Sequence, residues 1–288
     1  MVSVPERRRA VTHLRAAYSV SERRACTVIP ISRTTYRHSG TRSVVDETYT
    51  EVVRLSNQYP YWGYRKIFDL MDQDRFGVGR EGVRLIRRRE GLQVVRKRRK
   101  KRLLGRSTQW IHRASHPNHV WSYDFVHDQT IDGKRLRCLT IVDEFTREGL
   151  AIRCARSLTA SDVVRVLEEL IGRCGKPQCI RSDNGPEFVA EAVKSWLSER
   201  SIGTHYIEPG SPWQNPYGES FNSIFRTTCL DRWAFESVAE SRAVISHWLT
   251  EYNTIRPHGS LNGKPPAQFI KEWARSSRDS TMQQKRNP

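Results

Sequence analysis

Apolar residues along the second half of the chain change period in a way that separates helices from strands. Across residues 161–173, Val163, Val164, Leu167, Leu170 and Ile171 recur at three- and four-residue intervals, which predicts a helix with one buried face. Residues 121–127, 137–145 and 149–155 are instead rich in β-branched and aromatic positions and read as three successive strands. Gly133 marks the turn between the first two, and Arg147-Glu-Gly149 the turn between the second and third. A short strand at 178–181, a helix at 186–200, a strand at 204–207 and a helix carrying Glu219 follow. Three antiparallel strands and then helix, strand, helix, strand and helix predict an α/β fold, a mixed five-stranded sheet with flanking helices. One more helix is expected at 238–252, and beyond Trp273 the chain turns polar and is expected to be disordered.

The first half has a different texture. Residues 1–45 mix basic and apolar positions, with Ser21-Glu-Arg-Arg-Ala25 and Ser32-Arg-Thr-Thr-Tyr36 suggesting two short capped helices. A longer helical period over 46–58 places Val52, Val53 and Leu55 on its apolar side, and Tyr61-Trp-Gly-Tyr64 interrupts it. Ile67, Leu70 and Met71 resume the pattern. A turn at Gly77-Val-Gly79 then leads to Val83, Leu85 and Ile86 on a helix otherwise lined by Arg80, Arg84, Arg87, Arg88 and Arg89. Helix, glycine-bearing turn and arginine-coated helix fit a helix-turn-helix that touches DNA; an ordinary helical hairpin with a solvated basic face is the alternative. Residues Arg96, Lys97, Arg98, Arg99, Lys100, Lys101 and Arg102 are consecutive cations with no core-forming member. The run is either a solvated linker or a grip on backbone phosphates.

The 288 residues are enough for about two domains with proper cores. The expected division is an N-terminal helical segment at 1–45, a helix-turn-helix-like region with its basic linker at 46–110, a core at 115–230, and a C-terminal helix with a polar tail at 231–288. A net charge of +18, from 49 Lys and Arg against 31 Asp and Glu, points to polyanionic partners, nucleic acid first. No apolar run reaches the ~20 residues a spanning helix needs, and the N-terminus has no signal-peptide core, so a cytoplasmic, nucleoid-associated protein is expected. Cys26, Cys138, Cys154, Cys174, Cys179 and Cys229 contain no C-x-x-C pair and read as small apolar residues. His112, His116 and His119 are spaced like zinc ligands but have no cysteine pair nearby, so a polar linker is the better reading.

Three acids stand out by context. Asp124 sits in the first predicted strand, and Asp183 opens an Asp-Asn-Gly turn just after a short strand, where ligands gather in open sheets. Glu219 lies on a helix, with 35 residues between it and Asp183. Each has a dull explanation as a cap, a turn residue or a solvated helix position. Together they are the oxygen ligands that hard divalent cations prefer, and two such ions can clamp the attacking and leaving oxygens of a phosphodiester displacement. Helical periodicity puts Asn215, Glu219, Asn222 and Arg226 on one face, an acid among groups suited to phosphates. Asp128 and Asp143 lie near turns and are expected to serve hairpin geometry.

Around these acids run Trp-Ser-x-Asp (121–124), Ser-Asp-Asn-Gly-x-Glu-Phe (182–188) and Asn-x-x-x-Glu-Ser-Phe-Asn (215–222). With the basic residue seven beyond Glu219, they resemble the DDE transposase and retroviral-integrase superfamily, and most closely the second-frame transposases of the insertion-sequence-three family. Tyr252-Asn-x-x-Arg-Pro-His-x-Ser-Leu261 with Pro265-Pro-Ala-Gln-Phe269 resembles that family's closing motif, and Gly63-Tyr-Arg-Lys-Ile67 with Arg88-Arg-Glu-Gly-Leu92 its helix-turn-helix segment. The resemblance spans roughly residues 20–269. It implies a ribonuclease-H-like fold, with Asp124, Asp183 and Glu219 as catalytic metal ligands for two Mg²⁺ ions that Mn²⁺ can replace. It also implies double-stranded DNA partners, the element's terminal repeats and a target, together with a homo-oligomer. The His-His-Cys-Cys zinc domain of retroviral integrases has no counterpart here, and neither does the first-frame leucine zipper, so a first-frame product, fused or separate, is an expected partner. A tyrosine recombinase using Tyr217 or Tyr252, a DNA-binding regulator and a nuclease without joining activity are the rival readings.

The basic run yields a direct expectation. If residues 96–102 grip phosphates, neutralising them lowers the slope of log affinity against log salt by about 0.9 for each phosphate no longer neutralised. An unchanged slope in a DNA-binding salt series would show the run to be a solvated linker.

Overall fold

The computed structural model describes residues 4–37, 42–94, 113–183, 185, 190–207 and 215–284. The basic run at 96–102, His112 and the start of the helix expected from residue 186 lie outside them. Backbone packing divides the chain into two compact units, Met1–Pro60 with Met71–Gln93, and Tyr61–Leu70 with Val94–Pro288.

The first unit is helical: α1 (Val4–Tyr18), α2 (Glu22–Val28), α3 (Arg33–Arg37), α4 (Arg42–Gln58), α6 (Gln73–Phe76) and α7 (Arg80–Arg89). The intervening helix α5 (Tyr64–Leu70), which the sequence pattern joins to the helix-turn-helix segment, packs within the second unit. The two serines act as expected: Ser21 Oγ accepts the Arg24 N–H, and Ser32 Oγ the Thr35 N–H. Helix α1 goes beyond the sequence pattern. It exists because Val11 packs on Ala25 and Cys26, with Leu14, Val20, Ile29, Ile31 and Tyr36 around them. The turn before α7 is built by Asp72, whose carboxylate accepts the Asp74 and Arg75 N–H groups, and by Gly77 in the left-handed region at φ 55°. Leu85, expected on the apolar side of α7, is half exposed, whereas Val83 is fully buried.

The second unit carries the expected sheet. Strands β1 (Val120–Gln129), β2 (Arg135–Asp143), β3 (Gly149–Ala155), β4 (Cys179–Ser182) and β5 (Gly203–Tyr206) are ordered β3-β2-β1-β4-β5. β1 pairs antiparallel with β2 and parallel with β4; β2–β3 is antiparallel and β4–β5 parallel. Side chains alternate between the two faces. Trp121, Tyr123, Leu139 and Ile141 point to one face, where Val163, Val166, Leu167 and Leu170 of α8 (Ala160–Cys174) and Val193, Trp196 and Leu197 of α9 (Glu191–Glu199) cover them. Thr159 and Asp162 form a capping box that starts α8. The other face buries Val126, Leu136, Cys138, Val142 and Cys154 beneath Phe221 and Phe225 of α10 (Pro216–Thr228) and Ile245, Trp248 and Tyr252 of α11 (Val238–Thr254). Each such large apolar side chain contributes roughly 1.5–3 kcal/mol. Cysteines fill apolar gaps as expected: all six are unbonded thiols, and all but Cys174 are buried.

One expectation fails plainly. The polar tail beyond Trp273 is helical, since α12 runs Pro266–Gln284. Phe269 and Trp273, one turn apart, pack on Phe145 at 5.6 and 4.8 Å, which anchors the first half of the helix. Polarity alone therefore does not mark disorder. Among the described residues, no helix is long and apolar enough to cross a membrane.

Beside the β1–β4 seam lies a buried ion pair. Both Glu144 carboxylate oxygens accept Arg181 Nη1 at 3.0 Å, and Ser122 Oγ donates to the same carboxylate. The Glu144 side chain is wholly buried and that of Arg181 is 6% exposed. Removing one partner strands the other in a dry interior, so Arg181→Met is expected to cost about 3–5 kcal/mol, read as a lower urea midpoint. The Arg181→Met/Glu144→Met double variant should recover most of that loss.

Candidate functional site

The site begins on the central strand. Asp124 faces α10, opposite Thr140 in the β1–β2 register. Asp183 follows β4 directly, is exposed, and its Oδ1 accepts the Gly185 N–H at 3.1 Å. Glu219 is exposed in the first turn of α10. Burial pushes the Asp124 carboxyl up to about 6, and the charges of Asp183 and Glu219 push the same way. The three acids therefore share one field. Among the described residues no three His, Cys, Asp or Glu side chains stand close enough together to hold a metal ion. Hard oxygen donors around a reluctant anion are suited to a divalent ion.

Asn222, one turn after Glu219, meets Asp124 instead of solvent. Its Nδ2 donates to Asp124 Oδ2 at 2.8 Å, while its Oδ1 accepts Thr140 Oγ1 at 2.8 Å. Thr140 Oγ1 also lies 3.1 Å from the Asp124 carbonyl. With the Phe125 N–H on Asp124 Oδ1 at 2.7 Å, the carboxylate is held in one orientation. The Asn222 and Phe125 bonds favour its charged form and oppose the upward shift.

Several residues take tasks other than those expected. Asn215, placed by periodicity on the phosphate-facing stripe, is the buried N-cap of α10, and its Oδ1 accepts the Gly218 N–H at 3.2 Å. A Cβ on Gly218 would meet that amide at 2.6 Å, so only glycine fits there. Asn222 orients a carboxylate, as described, because the helix turns it onto β1 and β2. Arg226 is partly exposed, donates through Nη2 to the His127 carbonyl, and lies 4.0 Å from Asp231. On α7, Arg87 is turned inward and donates to the Leu92 carbonyl at 2.7 and 3.1 Å, tying down the chain just beyond the helix. Arg84 is forked onto Glu81, and Arg88 is exposed. Arg96, Lys97, Arg98, Arg99, Lys100, Lys101 and Arg102 lie outside the described residues.

Asp143 does shape a turn: its Oδ1 accepts the Phe145 and Thr146 N–H groups and its Oδ2 that of Asn118. Asp128 accepts the next backbone N–H, of Gln129. Thr140, Glu144 and Arg181 carry no signal in sequence, because their importance rests on cross-strand register. Arg147 reads as a turn residue, yet its guanidinium stacks 3.9 Å from the ring centre of Tyr217, two residues before Glu219.

Two models, both described as integrase core domain, match the chain at residues 114–212 and 200–266. A 39.2 kDa protein of insertion element IS476 from Xanthomonas euvesicatoria is 38% identical over 271 residues, covering 93% of this chain and 78% of that one. A 31.7 kDa protein of insertion element IS407 from Burkholderia multivorans is 34% identical over 257 residues, covering 89% and 92%. Among solved structures, the HTLV-2 integrase catalytic core domain, in complex with magnesium and in a trimeric form, matches with 20% identity and a TM-score of 0.44. That alignment covers 53% of this chain and 96% of that one.

Asn222→Ala deletes a hydrogen bond that favours the charged form of Asp124. The Asp124 carboxyl is expected to titrate above about 6 in the variant, as followed by carboxyl-carbon NMR. An unshifted midpoint would deny Asn222 that influence.

Proposed function

We propose that Asp124, Asp183 and Glu219 are the metal-holding carboxylates of this chain, which belongs to the insertion-sequence-three family of DDE transposases. It is accordingly a polynucleotidyl transferase of DNA transposition with an integrase catalytic core of ribonuclease-H-like fold. The observation that carries the site reading is the shared field of the three acids at Asp124, together with the hydrogen bonds that fix that carboxylate.

Divalent cations held there, two Mg²⁺ or Mn²⁺ in their place, would polarise the scissile phosphodiester and activate first a water and then a DNA 3′-hydroxyl. The magnesium bound by the HTLV-2 integrase core supports the choice of ion. The chain's own contribution is orientation. Asp124 and Asp183 reach the site from neighbouring parallel strands, and Glu219 from the first turn of α10. Asn222 keeps Asp124 aligned and biased towards its charged form. Arg226, two turns beyond Glu219, would hold backbone phosphate beside the scissile bond, exchanging its present bond to the His127 carbonyl for the DNA. The helical 1–45 and 46–110 regions, with Arg88 exposed and the run from Arg96 to Arg102, would supply further phosphate contacts.

The double-stranded substrates would be the element's terminal repeats and a target, and a cytoplasmic, nucleoid-associated setting would suit that work, in keeping with bacterial relatives. A homo-oligomer is expected, consistent with the trimeric form of the related core, and a first-frame product would complete end recognition. A nuclease that cuts without joining uses the same ligands, and a supercoiled-plasmid assay with element ends and Mg²⁺ separates the two: joined products support transposition, nicked circles alone oppose it.

Glu219→Gln should abolish both cleavage and joining, by a hundredfold or more at roughly 3 kcal/mol, while duplex affinity in EDTA stays near wild type. Strand transfer at the wild-type rate by the purified variant would remove Glu219 from the site. Because the Asp124 carboxyl sits at about 6, protons compete with metal below that pH. Metal affinity is expected to fall as pH drops through 6 and to level off above it, as measured by metal titration. A pH-independent affinity between 5 and 8 would count against Asp124 as a ligand.

A further inference from the structure

The motif Tyr252-Asn-x-x-Arg-Pro-His258 still lacks a task. It forms a structured junction within the second unit. Tyr252 packs edge-on against Phe221 of α10 at 5.0 Å, and the His258 ring meets Tyr252 at 4.8 Å. Asn253 clamps the β2–β3 turn: its Oδ1 accepts the Gly149 N–H and its Nδ2 donates to the Gly149 carbonyl, both at 2.9 Å. A Cβ on Gly149 would lie 2.5 Å from Leu249 and 2.9 Å from Phe221, so the turn fits only because that residue is glycine. The clamp holds Arg147, with its φ of 62°, beside Tyr217 at the start of α10. Arg256 packs over Trp62 at 5.8 Å, and Lys66 of α5 approaches the same place.

Positive groups gather here, and none of the four forms a close ion pair with an acid among the described residues. Arg256 is 8% exposed, and Lys66, Arg147 and His258 form a half-buried rim. Arg147 Nη1, Arg256 Nε and His258 Nε2 are buried and have no hydrogen-bond partner among the described residues. The acids that act on the cluster are Glu251, which accepts the Tyr61 hydroxyl at 3.2 Å, Asp69, and Glu144, whose charged form Arg147 favours although Glu144 is itself paired with Arg181. Burial holds the Arg256 guanidinium and the Lys66 ammonium below their ordinary ranges, and Arg256 adds to the effect on Lys66. Burial, then Arg256, Lys66 and Arg147, pushes the His258 imidazole down to about 3. Buried cations that repel one another and leave a nitrogen unsatisfied form the complement of an anion.

We propose that Lys66, Arg147, Arg256 and His258 form a phosphate site that grips a DNA backbone phosphate beside the carboxylates of α10 and β1. The inference rests on the reading above that DNA is the substrate. Arg147 ties the site to the catalytic helix through Tyr217, two residues before Glu219. Arginine supplies a planar fork for phosphate oxygens, and the arriving charge returns His258 to its protonated form, giving Nε2 a proton to donate.

The test uses the full chain and a fluorescent duplex in EDTA, where the carboxylates bind no metal. A failure here therefore leaves the metal reading standing. Lys66→Met, Arg256→Met and His258→Gln are each expected to weaken duplex binding several-fold, and the two cation losses to lower the log–log salt slope by about 0.9. Without DNA, the melting temperature of Arg256→Met should stay level or rise, because an unpaired buried charge has gone. Wild-type slopes and affinities in all three variants overturn the proposal. So does a lower melting temperature for Arg256→Met while Lys66→Met and His258→Gln bind normally, which makes the cluster structural. Inorganic phosphate that stabilises wild type but not Arg256→Met, with unchanged duplex binding in the other two, assigns the site to a free anion and also overturns the DNA assignment. Should Arg256→Met fail to fold, Lys66→Met on the half-buried rim decides the matter alone.

Discussion

The pairing of Glu144 with Arg181 fixes the alignment on which the proposed chemistry depends. Ser122 and Arg181 are register partners on β1 and β4, and Asp124 and Asp183 lie two residues further along the chain from each. A slip of one strand past the other would part the buried charges and move the two acids out of step. Buried ion pairs are weak sources of net stability but costly to mismatch, which suits them to setting register. Burial pushes the Glu144 carboxyl up while Arg181 and Ser122 pull it down, so the pair depends on remaining intact.

Helix α10 is positioned by the opposite device. Phe221 and Phe225 bury its apolar side against the sheet, leaving Glu219, Asn222 and Arg226 to line the polar side near β1. Asn215 caps it, Pro216 occupies its first position, and Gly218 makes room for the cap. The helix therefore holds its acid through packing on one side and hydrogen bonding at one end. The strain of the arrangement is electrostatic and falls on Asp124, which is half-buried among like charges.

The sheet was legible in the sequence because its strands alternate and its helices keep a 3.6-residue period, so β1, β2, β3 and α8 fall within about two residues of expectation. The local settings of the three acids were legible through their neighbours, with Asp183 just after β4 and Glu219 on α10. Less visible was everything set by register or by a helix's rotation about its axis. Periodicity placed Asn215 and Asn222 on one face, but the first became a cap and the second turned onto Thr140. Arg87 looked like one of five equivalent arginines until the segment after its helix claimed it. The tail after Trp273 misled because two aromatic residues one turn apart sufficed to dock it on Phe145.

The clamp of Asn253 on Gly149 also bears on the order in which the chain is made. β1 (Val120–Gln129), β2 and β3 (ending at Ala155) leave the ribosome well before α10 (from Pro216) and α11 (from Val238), the helices that cover their second face. Val126, Cys138 and Cys154 wait for Phe221, Trp248 and Tyr252 before that side is closed. Until the residue that locks the β2–β3 turn has been synthesised, a nascent chain carries Asp124 and Asp183 on an open sheet. The proposed carboxylate site of this transposase is thus completed only after α10 and α11 have been synthesised.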